Sequence, residues 1–391
     1  MRHTAEADSR RHKAAPLFAL ALGTFAIGSG EFGTNGIIQL YAEEFGVGIS
    51  SATFAVTSYA LGVVIGSPVI TVMAARFNRK NLLMSLVALF VVGNVLSAIV
   101  PSMGLLTTAR FITGTAQGAY FGAGAVVAAY VYGTGKGGKA FATVMSGLTV
   151  ATIFGSPVGT FVGQQFGWRW LYVVVAGIGL IAGIAIYAWV PTTSDLDGGS
   201  VTRELSALKR PLVWVMVAVA ALGISSIFAV YTFIGPFITD AADESPSIIP
   251  IGLAVFGLGM AVGNLVGGRL ADRHALLGLF LGYILVLGFL LIVALGGRSI
   301  PLLLVGFFGV GGSAMMAIPT IQVLLTHFAP DAPTLMGAMN LAALNLANAL
   351  GAVGGSVALS SGFGVLSPAW AGVILTACGL AVFALAIPKR L

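Results

Sequence analysis

Charge is what this chain has least of. Asp, Glu, Lys and Arg make up 8% of its 391 residues, against 58% hydrophobic ones, and the mean hydropathy is +1.00. Soluble domains carry about a quarter charged residues. A water-facing fold of this size cannot cover its surface with so few, so the chain belongs in lipid. Cysteine is almost absent. The single Cys378 excludes an intrachain disulfide and, in its apolar run, reads as a small core hydrophobe. No His, Cys and Asp cluster suggests a metal, and no nucleophile–base pair suggests hydrolysis. Asp331 and His327 are close in sequence but fall in a loop. The reading is therefore not an enzyme. It carries no cofactor, and nucleic acid is not a partner.

What is abundant is apolar length. Runs recur near 16–40, 51–75, 81–100, 104–131, 139–163, 169–190, 211–238, 248–271, 276–296, 300–325, 334–359 and 367–388, each long enough for one spanning helix. The basic segment before the first run resembles the start of a signal peptide. The run is longer than such a peptide's apolar core, so it is read as a retained helix. With the N-terminus placed in the cytoplasm, sixteen of the nineteen Lys and Arg residues fall on the inside, as the positive-inside rule asks. Arg169 and Arg298 fall outside, and Arg110 lies within a helix. The outer loops carry acids instead: Glu43, Glu44, Asp240, Asp243 and Glu244. The net charge of +6 thus reflects topology.

The longest polar connection falls at the midpoint. The expected division is a cytoplasmic tail 1–15, a six-helix bundle 16–191, a cytoplasmic linker 192–210 with room for one short amphipathic helix, and a second bundle 211–391. The halves repeat at an offset of 197: Gly66 with Gly263, Ala74 with Ala271, Arg76 with Arg273, Leu61-Gly62 with Leu258-Gly259, and Phe166-Gly167 with Phe363-Gly364. Such duplication around a midplane site is a transporter architecture.

Several stretches resemble the major facilitator superfamily, and within it the twelve-helix drug:proton antiporters of the chloramphenicol-resistance and arabinose-efflux subgroup. "GSPVITVMAARFNRK" resembles the family's loop motif through Gly66, Arg76, Arg79 and Lys80, with Ala75 where the family has Asp. Its second-half copy "GNLVGGRLADRH" keeps that acid as Asp272 beside Arg273. "RFITGTAQG" resembles the buried-arginine motif, with Arg110, Gly114 and Gly118. "GLTVATIFGSPVGTFVG" resembles the antiporter motif, with Gly147, Gly155, Pro157 and Gly159, while Ser156 and Thr160 replace residues that are often Gly. The resemblance implies an all-α integral membrane fold of twelve transmembrane helices in two pseudo-symmetric six-helix bundles. It also implies a monomer in a bacterial inner membrane with both termini cytoplasmic. Its substrate would be a small molecule exported against protons: an amphipathic drug such as chloramphenicol, or a sugar such as arabinose; the remote alternative is a non-transporting membrane receptor or an intramembrane enzyme.

The residues carry their own argument. Of thirteen acids only Glu31 lies well inside a run, and of nineteen bases only Arg110. A charge near the bilayer centre costs about 2.5–3.5 kcal/mol on insertion scales. Helix rise puts Glu31 roughly 14 Å and Arg110 roughly 9 Å below the outer ends of their helices, so an ion pair or a shared water cavity is allowed. Two readings stand for Glu31. It is a protonation switch, because desolvation favours the neutral carboxyl and a nearby cation favours the charged one; or it is half of a structural ion pair. Arg110 is either structural or coupling.

The surrounding "GSGEFG" spells a dinucleotide turn, but no strand precedes it. Its glycines are read as letting a neighbouring helix approach. "YVYGTGKGGK" is no phosphate loop either, since Tyr130 and Gly137 stand where Gly and Ser or Thr are needed. Energy is therefore expected from a gradient. Gly155 and Pro157 suggest a bent, tightly packed fifth helix, or ordinary enrichment of such residues in membranes. Polar and aromatic residues on inner helices nominate the cavity: Asn35, Gln39, Tyr59, Gln117, Tyr120, Phe121, Tyr231, Phe233, Asn340 and Asn345. The other reading for each is interhelical bonding or lipid contact.

Overall fold

The computed structural model describes residues 2–74, 77–133, 137–192, 196, 206–330 and 333–386. Among the described residues every regular element is helical. A backbone in hydrocarbon has no water to bond, so each segment satisfies its own N–H and C=O groups. The spans are α1 (Ala14–Gly36), α2 (Phe54–Met73), α3 (Arg79–Ile99), α4 (Met103–Thr115 with Gln117–Tyr132), α5 (Gly137–Val150, Ala151–Gly155 and Ser156–Phe166), α6 (Arg169–Trp189), α7 (Pro211–Tyr231), α8 (Pro246–Ala271), α9 (Arg273–Gly296), α10 (Ile300–Phe328), α11 (Pro333–Ser360) and α12 (Ser367–Ala386). Eleven are long and apolar enough to cross a membrane alone. The twelfth, α4, is split at Ala116 into pieces of 13 and 16 residues.

Three boundaries differ from expectation. The run over 104–131 is interrupted at Ala116. The first helix ends at Gly36 and resumes as Ile38–Glu44, where Gly36 is pressed against Thr160 and Leu253. The seventh breaks at Thr232 and Phe233 before a π turn, Phe237–Ala241. Of the connection between α6 and α7, Ser206–Lys209 forms a 3-10 turn, and most of the expected amphipathic helix lies outside the described residues.

Large apolar side chains lie on the outside as well as in the core. In α6, Gly179 and Gly183 face Phe90, Val91 and Val87 of α3, while Ile181, Ile184 and Tyr187 point outward. Lipid is as apolar as these side chains, so small inner residues and close backbones hold the helices together. Cys378, expected in the core, is exposed on α12.

The repeat noticed in the sequence is also a repeat of contacts. A side chain at Gly62 would strike the carbonyl of Phe111, and at Gly259 that of Phe308. Gly114 meets the carbonyl of Tyr59, and Gly311 that of Phe256. Gly66 meets Thr115, and Gly263 meets Gly312. The α2–α4 and α8–α10 crossings therefore superimpose at the 197-residue offset. Gly167 and Gly364, also 197 apart, both adopt left-handed backbone, at φ 100° and 88°, which a side chain resists.

One face carries the α1–α2 turn. There Glu44 accepts from Arg169 at 2.5 Å and from Trp168 at 2.7 Å. On this face Gln39 donates to Thr239 at 2.8 Å, Gln164 to the Pro246 carbonyl at 2.8 Å, and Ser50 to the Ser356 carbonyl at 3.1 Å. The Thr53 and Ser356 hydroxyls also bond. Each of these ties α1–α6 to α7–α12.

Candidate proton and substrate site

Glu31 stands on α1 among glycines with distinct neighbours. A side chain at Gly28 would meet Leu148 and Ala151 of α5, and at Gly30 it would meet Val175 of α6. Gly33 is backed by Leu171. "GSGEFG" is thus helix throughout, and its glycines admit α5 and α6 while the carboxylate takes another direction. Glu31 is 5% exposed and Arg110 fully buried; they are the charged residues buried among those described. One carboxylate oxygen accepts from Gln117 Nε2 of α4 at 2.8 Å. The other accepts from Asn348 Nδ2 of α11 at 3.3 Å. Bonds to a charged acceptor contribute about 1.5–3 kcal/mol each. One of these two crosses from the first six helices to the second six.

Arg110 does not bond the carboxylate. Its Nη2 donates to the carbonyl of Gly30, the residue before Glu31, at 3.1 Å. The guanidinium lies 4.3 Å from the Tyr59 ring centroid and 5.3 Å from that of Tyr172. Among the described residues, Arg110 Nε and Nη1 have no hydrogen-bonding partner. Stacking on aromatic faces compensates a desolvated cation by about 0.5–2 kcal/mol per ring. Tyr172 also meets Thr34 at 3.3 Å, so α1, α2, α4 and α6 converge on this one side chain.

The nominated cavity residues divide. Gln117 and Tyr231 line the seam beside Glu31. Tyr231 donates to Ser156 at 2.7 Å and packs edge-on against Phe32 and Phe256, at centroid distances of 5.7 and 5.0 Å. Tyr59 sits on Arg110. Asn35 turns back to the carbonyls of Glu31 and Phe32, and Gln39 bonds Thr239 nearer the Glu44 face. The others are not brought to Glu31. Tyr120 donates to the Leu20 carbonyl, with Phe121 beside it. Phe233 is buried under Gly355 and next to Phe237. Asn340 bonds Gln322, and Asn345 bonds the Leu341 carbonyl of its own helix. Sequence reasoning missed Asn348, Tyr172 and Phe256. Asn348 carried a usable signal, because it lies three residues beyond the nominated Asn345, on the same side of α11.

The motif residues are placed as follows. Gly66 backs onto Thr115, and Gly147 onto the Ala21 carbonyl and Thr24. Gly155 meets Ser29, and Gly159 meets Leu171. In α5 the irregularity is a π turn, Ala151–Gly155, that ends two residues before Pro157. Proline lacks the N–H that would bond four residues back, so the ladder widens there. Arg79 Nη1 reaches the Ala74 carbonyl at 3.5 Å, and Lys80 Nζ the Tyr187 carbonyl at 2.9 Å. Arg273 is exposed, beside the backbone kink at His274 near the start of α9. Arg76 and the side chain of Asp272 lie outside the described residues. A crevice of about 120 Å³ opens between α1, α5 and α6. The exposure of Phe154 and Val158 on its rim turns it toward lipid, away from Glu31.

The sequence matches the family model of the Major Facilitator Superfamily over residues 20–352. The chain belongs to that superfamily. It is 35% identical over 356 residues to the inner membrane transport protein YdhP of Escherichia coli K12, covering 89% of this chain and 90% of that one. It is 31% identical over 373 residues to a chloramphenicol resistance protein of Streptomyces lividans, covering 94% and 95%. Among solved structures, it resembles a bacterial homologue of the human lysosomal transporter Spinster in an inward-facing, occupied conformation. That match has a TM-score of 0.74 at 16% identity, covering 95% of this chain and 96% of that one. The likeness shows the fold, two pseudo-symmetric six-helix bundles.

Proposed function

We propose that this chain exports a small amphipathic molecule such as chloramphenicol in exchange for protons, with Glu31 as the proton carrier. The observation that carries the reading is the carboxylate's place: buried within α1, and bonded to Gln117 on one bundle and Asn348 on the other. A proton taken there changes the charge at the seam about which the bundles rock. Arg110 holds α1 by its Gly30 carbonyl and so fixes where Glu31 projects. Phe32, Tyr231 and Phe256 offer an aromatic wall, and Gln117 and Asn35 a few polar groups, which suits a mostly apolar ligand. The similarity to a chloramphenicol resistance protein favours a drug, and sugar efflux is the alternative.

In this reading the bundles are 16–191 and 211–391, joined by a cytoplasmic linker at 192–210. The Glu44 face is outside, both termini lie in the cytoplasm of a bacterial cell, and the transporter works as a monomer. The loop-motif residues Gly66, Arg79 and Lys80, and Gly147, Gly155, Pro157 and Gly159 of α5, govern the rocking. The test is uptake into liposomes under an imposed pH gradient, with chloramphenicol and arabinose measured for wild type and Glu31→Gln. Wild type accumulates the drug and Glu31→Gln loses at least about tenfold of that accumulation, since a neutral amide takes up no proton. Gradient-driven accumulation by Glu31→Gln at the wild-type level contradicts the assignment, and accumulation of arabinose alone selects the sugar.

A further inference from the structure

An exchanger stays coupled only if the carrier holding neither proton nor substrate cannot reorient. Otherwise it returns empty, picks up a proton outside, releases it inside, and dissipates the gradient. We infer that the hydrogen bond from Asn348 to Glu31 is the lock that holds this empty carrier in place, which makes Asn348 a positioning residue for coupling. The inference rests on Glu31 being the proton carrier.

The geometry supports it in three ways. Asn348 is 1% exposed and lies on α11, whereas Glu31 lies on α1. Their bond therefore spans the two bundles at the depth of the acid. The bond to Gln117, by contrast, stays within the first bundle. Second, both oxygens of Glu31 accept, an arrangement available in full only to the ionised carboxylate. A proton turns one oxygen into a donor that faces an amide N–H, and that contact must break or the amide must turn. Third, Asn348 Oδ1 has no partner among the described residues, so no second hydrogen bond from them fixes the amide in place. The ionised empty state thus ties the bundles together, and protonation loosens the tie.

The charged and titratable groups that act on Glu31 are Arg110 of α4, the phenol of Tyr59 on α2 and that of Tyr231 on α7. Tyr172 of α6 touches Arg110. Among the described residues, α5, α8 and α11 bring no charged group to it. Glu31 is thus the acid on which the lock can depend.

The test needs no substrate. The full chain is placed in liposomes holding a pH-sensitive dye, an inward proton gradient is imposed, and the membrane potential is clamped. Asn348→Leu removes the donor and Asn348→Ser removes its reach, so a folding defect in one leaves the other informative. Both are expected to raise substrate-free proton entry at least about fivefold over wild type, the scale of a lost inter-site coupling. Asn348→Gln keeps the amide and is expected to stay near wild type. Combining Asn348→Leu with Glu31→Gln is expected to return entry to the protein-free background, which a merely loosened structure would not do. Wild-type entry rates in both Asn348→Leu and Asn348→Ser overturn the lock. A leak that persists in the double variant overturns the lock and the proton role of Glu31 together. No leak in the Asn348 variants, with Glu31→Gln still unable to drive export, overturns the lock alone.

Discussion

The two bundles share a scaffold and differ in chemistry. At the 197-residue offset, Gly62, Gly66 and Gly114 meet the same backbone positions as Gly259, Gly263 and Gly311. The charged centre has no counterpart. Glu31 corresponds to Phe228, Arg110 to Phe307, Tyr59 to Phe256 and Gln117 to Ala314. Where the first bundle stacks a guanidinium on Tyr59, the second stacks Phe307 against Phe237, with ring centroids 6.4 Å apart. Backbone crossings set by glycine thus tolerate either filling. One bundle holds the charge, and the other supplies an apolar wall and a single amide, Asn348. On the proposed reading one titrating group at the seam suffices, and a charge in place of Phe228 would add desolvation cost.

Breaking the charged side should have the larger effect. Arg110→Met leaves the Gly30 carbonyl and two tyrosine faces without their cation. Proton-driven export in liposomes is expected to fall about tenfold, because a buried carbonyl left without its donor costs about 1–3 kcal/mol. The matched change in the other bundle, Phe307→Leu, is expected to cost only about 1–2 kcal/mol of stability and to leave the pH profile of export in place. Equal transport loss in the two variants would erase the distinction.

The shared scaffold can be sharpened by a matched pair. Gly62→Val and Gly259→Val each push a side chain into a backbone carbonyl of the crossing helix. Each is expected to destabilise by about 1–3 kcal/mol, with thermal unfolding in detergent showing similar losses. A loss in one bundle only would mean that the repeated letters are not repeated structure.

Much of this was legible as sequence, for physical reasons. Apolar runs must be helices in lipid, and a lone Glu and a lone Arg inside them stand out because every other charge avoids hydrocarbon. Register was not legible. Whether Arg110 takes the Glu31 carboxylate or the Gly30 carbonyl depends on the rotation of α4 against α1, which no spacing encodes. Asn348 lies 317 residues from its partner, and only the docking of two bundles brings them together. The break of α4 at Ala116 follows no proline. In α5 the proline was visible, but the π turn before it was not.

The smallest expected effect lies at the surface of the first bundle. The hydrogen bond from Arg169, aided by Trp168, holds the Glu44 carboxyl below the usual carboxylate value. A depressed acid stabilises the fold above its unfolded value and loses that contribution as pH falls through the folded one. For an exposed pair this is about 0.2–1 kcal/mol. The melting temperatures of wild type and Glu44→Gln should differ slightly near neutrality and converge in acid. A difference that grows as pH falls would reverse the sign.

The most direct measurement of the central claim reverses the driving force. Liposomes carrying the protein, with equal pH on both sides, are given a chloramphenicol gradient while internal pH is followed. Wild type should move protons opposite to the drug, and Glu31→Gln should move none. Proton movement by Glu31→Gln at the wild-type rate, or drug movement by wild type without protons, would contradict the account.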